Sequence, residues 1–372
     1  MSSDPGSLTI LLLVIFCFAI PDFIYLYWRL GNGPVDAFLL SIPFLLLASF
    51  PMKKIHRLQR HFIYLSLGVI TYLTIMSIAR DLIWLLSGEL FPAYYVVAST
   101  FFFMAGGFLH AYFGPHIKHV RLPVESLHAD LENFKIVQIS DLHVGPTIRK
   151  KYVQKVVDKI NALNPDIVAL TGDIGDGPVK VYREDVEPFK KLRPKYGSFF
   201  VTGNHEYYWN GNEWLNAINN VGIIVLMNRG KIVNVNNAKV LMGGIPDPVS
   251  KILPEIEMIA EAGKEADFKI LLSHRPGIAR TAQSFGFDLQ LSGHTHGGQF
   301  FPWTLVVKFV HEFNRGLARL GKMWIYVNMG TGSWGPFLRV GSTTEITLIE
   351  LIRAEENTKP FLSFKEARLR PL

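Results

Sequence analysis

The chain divides by the length of its apolar runs. Leu8–Trp28 carries charge only at Asp22 and is broken by Pro21. Val35–Phe50 carries charge only at Asp36 and contains Pro43, Phe62–Leu86 carries charge only at Arg80 and Asp81, and Ala93–Phe113 is apolar and aromatic. A helix needs about 20 apolar residues to cross a bilayer. Four membrane helices are therefore predicted, over 8–28, 35–50, 62–86 and 93–113, the second of them short. The first run also has the form of a secretion signal. It lacks a basic leader and three more spans follow, so it is read as an uncleaved anchor.

From Lys118 the runs shorten. Apolar stretches at 135–139, 167–170, 198–201, 223–226, 231–235, 239–242, 269–272, 289–291, 324–327 and 343–351 predict strands. Helices are predicted over 149–163, 183–192, 214–221, 253–262 and 277–285. The stripe Val153, Val156, Val157, Ile160, Leu163 has helical spacing, and Asn164-Pro165 closes it. Alternating short strands and helices argue for an α/β domain. Consecutive strands around 223–243 make its sheet mixed. Two domains are expected: a membrane region over 1–117 and an α/β domain over 118–372.

Charge sharpens the division. Residues 1–120 carry 7 Lys/Arg and 5 Asp/Glu, against 31 and 26 in the rest of the 372-residue chain. The net charge is +7 and the mean hydropathy +0.22. No Lys/Arg run interleaves with aromatics, so nucleic acid is not expected as a partner; a membrane is. Lys53, Lys54, Arg57 and Arg60 crowd the second loop, which the positive-inside rule puts in the cytoplasm. The expectation is a multi-pass protein of the inner or plasma membrane with its large domain in the cytoplasm. The lone cysteine, Cys17, excludes an intrachain disulfide framework and a thiolate metal site.

Five islands carry the chemistry: Asp141-Leu142-His143, Gly172-Asp173, Gly203-Asn204-His205-Glu206, Ser273-His274-Arg275 and Gly293-His294-Thr295-His296-Gly297-Gly298. In open α/β sheets ligands bind beyond the carboxyl ends of strands. Asp141, Asp173, Asn204 and His274 each stand just past a predicted strand, and His294 and His296 follow 289–291 in the same way. Asp141 and His143 are one residue apart, as are His294 and His296. In extended backbone such pairs point one way, so each pair is expected to grip one ion. Carboxylate, amide and imidazole donors suit manganese, iron, zinc or nickel. Two such ions facing two carboxylates leave net positive charge, which favours an anionic substrate.

The ordered set D-x-H, G-D, G-N-H-E, H, G-H-T-H resembles the calcineurin-like metallophosphoesterase family over about 135–350. Ile139–His143, Gly293–Gln299 and Asn328–Gly332 are similar to its membrane-associated branch. That branch includes bacterial membrane-associated phosphodiesterases and UDP-diacylglucosamine-type pyrophosphatases. The resemblance implies two packed mixed β-sheets flanked by helices, here behind a four-helix transmembrane region. It implies that Asp141, His143 and His296 hold one divalent ion, that Asp173 bridges, and that Asn204, His274 and His294 hold the other, manganese being the first choice. His205 would stabilise the transition state or protonate the leaving oxygen. Glu206 stands where many members have Asp and is expected to orient His205 from behind the ligands.

The function expected is hydrolysis of a phosphodiester or pyrophosphate by metal-bound hydroxide. The substrate is a phosphate compound of the membrane, such as a nucleotide-linked lipid. The alternatives are a general phosphodiesterase without lipid preference and a catalytically silent metal-binding scaffold. Phe300, Phe301, Trp303, Leu305, Val306, Val307, Phe309, Val310 and Phe313 make the segment after the last island apolar. It is expected either to lie in the membrane interface or to pack as a covering loop.

Overall fold

The computed structural model of the protein describes residues 19–31, 33–48 and 57–354. Cys17, Lys53, Lys54, the start of the first expected span and the basic tail beyond 354 lie outside these. The chain forms two compact units. One is Met1–Tyr112 with Gly335–Val340; the other is Phe113–Trp334 with Gly341–Leu372.

The first unit contains α1 (Ile20–Leu30), α2 (Pro34–Ala48), α3 (Arg57–Ser87) and α4 (Tyr94–Phe113, whose last residue belongs to the second unit). Among the described residues two stretches are long and apolar enough to cross a membrane, Leu58–Ser87 and Tyr94–Phe113, and Val35–Leu46 is a shorter apolar helix. Leu26, Leu73 and Val96 form the small core of this unit. The charged residues inside the apolar runs are partnered. Asp81 pairs with Arg29 Nε at 2.8 Å and accepts from the Tyr25 hydroxyl at 2.7 Å. Arg80 donates to the carbonyls of Phe91 and Arg29 at 2.5 and 3.0 Å. Asp22 accepts from Thr74 at 2.8 Å. Residues 335–340 belong here too: Phe337 packs edge-on against Phe108, and the Arg339 N–H donates to the Gly107 carbonyl at 3.1 Å.

The second unit is built on two six-stranded sheets. Its elements in chain order are β1 (His116–Val124), β2 (Lys135–Ile139), α5 (Lys150–Ala162), β3 (Ile167–Leu170), β4 (Ser198–Phe200), α6 (Asn204–Tyr208), α7 (Gly211–Asn219), β5 (Ile224–Val225), β6 (Arg229–Val235), β7 (Ala238–Gly244), α8 (Ile256–Ala262), β8 (Phe268–Leu272), α9 (Ala279–Ser284), β9 (Leu289–Ser292), α10 (Trp303–Val310), β10 (Gly316–Leu320), β11 (Met323–Val327) and β12 (Glu345–Arg353). The sheets run β1-β12-β2-β3-β4-β5 and β10-β11-β9-β8-β7-β6. The pairs β2–β3, β3–β4, β7–β8 and β8–β9 are parallel, while β12–β2, β6–β7 and β10–β11 are antiparallel, so both sheets are mixed.

Alternation along the strands sets which face each side chain takes. Ile136, Ala169 and Phe199 of one sheet join Ile270, Leu272, Leu289 and Leu291 of the other in a single buried cluster. Their neighbours Leu271, Ile325 and Val327 turn outward and pack on Ile256 and Ile259 of α8 and Ala279 and Ala282 of α9. Each fully buried Leu or Ile contributes about 1.5–3 kcal/mol.

The expected strands form. β1 and β10 have no counterpart among them; both are edge strands, and residue 118 falls inside β1, where His116 and Ile117 already pair with Glu345 and Ile346. The helix expected over 183–192 is a helical turn, Val179–Tyr182, followed by two 3-10 turns, Arg183–Asp185 and Glu187–Lys191. Pro188 removes a backbone donor there and bars a continuous helix.

Candidate metal centre

Parallel register aligns the islands within each sheet, and the packing of the two sheets brings the five together. Ile139 pairs with Leu170 and Leu170 with Phe200, so the loops carrying Asp141, Asp173 and Asn204 leave adjacent strand ends. Leu272 pairs with Leu291, which sets His274 beside His294. Three groups of donors converge: Asp141, His143 and His296; His143, Asp173 and His205; and Asp173, His274 and His294, with the donor atoms of each group within 4.8 Å of one another. Asp173 and His143 are each shared between two groups.

Individual distances are those of donors aimed at a common point. His143 Nε2 lies 3.0 Å from His296 Nε2, which is 3.4 Å from Asp141 Oδ1. His274 Nε2 lies 3.3 Å from Asp173 Oδ2 and 3.2 Å from His294 Nδ1. His274 Nδ1 donates to the Thr171 carbonyl at 2.8 Å, which leaves Nε2 as the free donor atom. Asn204 is buried between Gly203 and His205, and its Oδ1 has no hydrogen-bond partner, nor has Nδ1 of His143. Facing imidazole nitrogens and an orphaned amide oxygen in a buried site fit divalent cations.

The local backbone differs from an extended one. Asp141, His143, Asp173, His294 and His296 all have positive φ, between 50° and 72°. Left-handed backbone costs a non-glycine residue about 1–2 kcal/mol. Backbone hydrogen bonds hold these turns: Asp141 N–H to the Gly172 carbonyl and His143 N–H to the Asp173 carbonyl, both at 3.0 Å. The His294 N–H reaches the Asp141 carboxylate at 3.0 Å. Asp141 and His143 share one group, whereas His294 and His296 belong to two. The backbone is left-handed at both pairs, so extended geometry sets the direction of neither. Gly203 is required here, because a Cβ at that position would overlap Asp173 Oδ1.

Charge explains the composition of the centre. Burial opposes protonation of His274, but the carboxylates of Asp173 and Asp141 outweigh it and push the imidazole up to about 10. His205 likewise rises to about 9, burial being overcome by Asp173 and Asp176. Burial and the neighbouring His205 cation lower His143 to about 3, and burial with the His274 cation lowers His294 to about 3. Burial lifts Asp141 to about 6, with Asp173 adding to it and His274 opposing. Asp173 stays well below the usual carboxylate range, because its histidines outweigh its burial. The carboxylates thus call for positive charge, which divalent cations supply in place of imidazole protons.

Residues 134–298 match the calcineurin-like phosphoesterase family. An uncharacterised metallophosphoesterase of Aquifex aeolicus is 36% identical over 226 residues, 58% of this chain and 84% of that protein. The chain belongs to the calcineurin-like metallophosphoesterase family. A transmembrane protein with metallophosphoesterase domain from Danio rerio is 35% identical over 261 residues, 67% of this chain and 60% of that protein. An uncharacterised metallophosphoesterase of Campylobacter jejuni is 34% identical over 243 residues, 64% of this chain and 63% of that protein. The chain thus spans less than two thirds of the length of these last two relatives.

Two residues of this metallophosphoesterase act differently from the sequence reading. Glu206 bonds backbone N–H groups rather than the His205 ring. Its carboxylate accepts the N–H groups of Asp173 at 3.0 Å, Ile174 at 2.7 Å, Gly175 at 3.0 Å and Gly203 at 2.7 Å, clamping the Asp173 loop to α6. The residue behind His205 is Asp176, which the sequence reading missed. Asp176 Oδ1 accepts from His205 Nδ1 at 2.9 Å and from Trp209 Nε1 at 3.1 Å. The signal was present as the D-x-x-D spacing from Asp173.

Proposed function

We propose that the protein is a multi-pass membrane phosphohydrolase with two divalent ions at this centre, cleaving a phosphodiester or pyrophosphate bond of a membrane lipid. The observation that carries the proposal is the place of Asp173, whose Oδ2 lies 3.3 Å from His274 Nε2 and 3.9 Å from His143 Nε2. A carboxylate within reach of both sets of donors is the arrangement a two-ion centre needs. Asp141, His143 and His296 would hold one ion, Asn204, His274 and His294 the other, and Asp173 both. Manganese suits these donors best, with iron, zinc and nickel as alternatives. When bound, such ions supply Lewis acidity and lower the pKa of a water.

The chain's own residues do the rest. Glu206 fixes the Asp173 loop through four N–H groups. Asp176 holds His205 by Nδ1, so Nε2 is the atom left to meet substrate. With its proton retained near neutral pH, that nitrogen donates to the leaving oxygen. In this reading four helices span the membrane and the basic second loop holds the α/β domain in the cytoplasm. A lipid substrate follows from the tethering of the centre to a bilayer.

The test uses full-length protein in detergent and a chromogenic phosphodiester. Chelation should abolish hydrolysis and Mn²⁺ restore it, with about two ions bound per chain. Asp173→Asn should bind fewer ions and lose activity. A chelated protein as active as the native one, or a fully active Asp173→Asn variant, would refute the metal centre. Equal rates on soluble and bilayer-borne substrates would refute the lipid preference alone.

A further inference from the structure

The segment that follows the metal loop has a feature the chemistry leaves unexplained. The α10 helix is bound to that loop at both ends. A Cβ on Gly298 would overlap Trp303 O and Thr304 N at the start of α10. At its other end, the His311 ring lies 6.0 Å from the ring of His294. Phe300 and Phe313, flanking the helix, are buried and moor it to the domain. Thr304 alone within the helix is buried, and the outward side chains are large and apolar. Phe309 is 83% exposed, Val310 67%, Trp303 48% and Leu305 47%. The sole charge in α10 is Lys308, and no acid lies between Asp288 and Glu312. A contiguous apolar surface of this kind marks a contact with another phase or molecule.

We infer that α10 is the lipid-facing lip of the metal centre and inserts its apolar face into the membrane surface. It delivers the phosphate group of a bilayer lipid to His294 and His274 without the acyl chains entering water. The inference deepens the lipid reading above and rests on it. Chain continuity favours the bilayer over a second copy. Gly114 and Pro115 alone separate α4, long and apolar enough to span, from β1. The rim residue Trp334, whose ring lies 6.0 Å from that of His205, is followed at once by residues of the helical unit. The chain thus passes between the helical unit and the α/β domain before β1 and again on both sides of 335–340. A helix with aromatic and aliphatic outward residues, one lysine and no acid matches the boundary of headgroups and acyl chains.

The experiment places a nitroxide on α10 of the full-length protein, in a background where Cys17→Ser removes the natural thiol. The labels sit at Phe309→Cys or, separately, Val310→Cys, with Glu265→Cys as an aqueous control. Glu265 has a side chain 76% exposed. The protein is reconstituted in vesicles of phosphatidylcholine and phosphatidylglycerol. Labels at 309 and 310 should be relaxed by oxygen over a water-soluble chromium complex at a ratio at least about fivefold above that at 265. Equal ratios at all three positions would overturn the inference. So would dipolar broadening between labels that vanishes on dilution with unlabelled protein, which would assign the face to a second copy. The readout needs neither metal nor turnover. A failure of hydrolysis therefore leaves it intact, and a failure here leaves the metal centre standing.

Discussion

Glu206→Gln is the sharpest test of how the centre is held. The native carboxylate is fully buried and accepts four backbone N–H groups, two on each oxygen: Ile174 and Gly175 on Oε1, Asp173 and Gly203 on Oε2. Burial and the Asp173 charge push its carboxyl up to about 7, against four donors that favour the charged form. Glutamine matches it in shape but replaces one acceptor by an amide NH₂. Whichever way the amide turns, two buried N–H donors lose their acceptor and face another donor. At about 1–3 kcal/mol per unsatisfied buried donor the loss is about 2–6 kcal/mol. Relief from burying a charge offsets part of it and leaves about 1–4 kcal/mol. For a domain of this size each kcal/mol lowers Tm by about 2–4 °C, so a drop of about 2–16 °C is expected. The assay is thermal unfolding of the full-length protein in detergent, followed by tryptophan fluorescence. Glu261→Gln, which removes an exposed pair with Lys264 at 2.9 Å, should leave the transition in place. A Glu206→Gln protein that unfolds with the native one would show that these four bonds are not what holds the loop.

His205→Ala should keep its metal content by elemental analysis and lose about 10²–10⁴-fold in kcat on a phosphodiester. Full activity would remove His205 from the chemistry. Asp176→Asn keeps an oxygen for His205 but loses the charge; kcat should fall about 10–100-fold, less than for His205→Ala, with metal affinity within a few fold of native by calorimetry. Gly203→Ala puts a methyl on Asp173 Oδ1 and should cost about 1–3 kcal/mol in thermal unfolding together with weaker metal binding. Gly277→Ala, with nothing within 4 Å of the new carbon, should change stability by less than about 0.5 kcal/mol.

How far the chain could be read follows from which interactions are local. Central strands such as β2, β3, β8 and β9 are buried on both faces, so each is a short run dominated by Ile, Leu and Val, unbroken in β3 and interrupted by Gln138 in β2, Lys269 in β8 and Gln290 in β9. β1 and β10 lie at sheet edges, where one side is wet. Their runs, His116-Ile117-Lys118-His119-Val120 and Gly316-Leu317-Ala318-Arg319-Leu320, mix polar and apolar residues too evenly to announce a strand. The break of the 183–192 helix is legible in Pro188, which lacks the backbone donor a continuous helix needs.

The order and chemical type of the donors are properties of the sequence alone. Seven oxygen and imidazole side chains follow strand ends with no cysteine among them, and that pattern already implies a centre for hard or borderline cations and an anionic substrate. The long apolar runs likewise announce helices by composition, since a bilayer's thickness sets their length. What the tertiary structure decided is convergence and pairing. Register between parallel strands aligns the loops within each sheet, packing of the two sheets brings loops more than a hundred residues apart to one edge, and left-handed backbone at Asp141, His143, Asp173, His294 and His296 aims the donors. Neither is written locally, because aspartate and histidine at positive φ are stabilised by hydrogen bonds from distant segments rather than by their own neighbours. The same reason separates Asp176 from Glu206. Both are acids beside the centre in sequence, and only the packed loops determine that one holds an imidazole and the other a backbone turn.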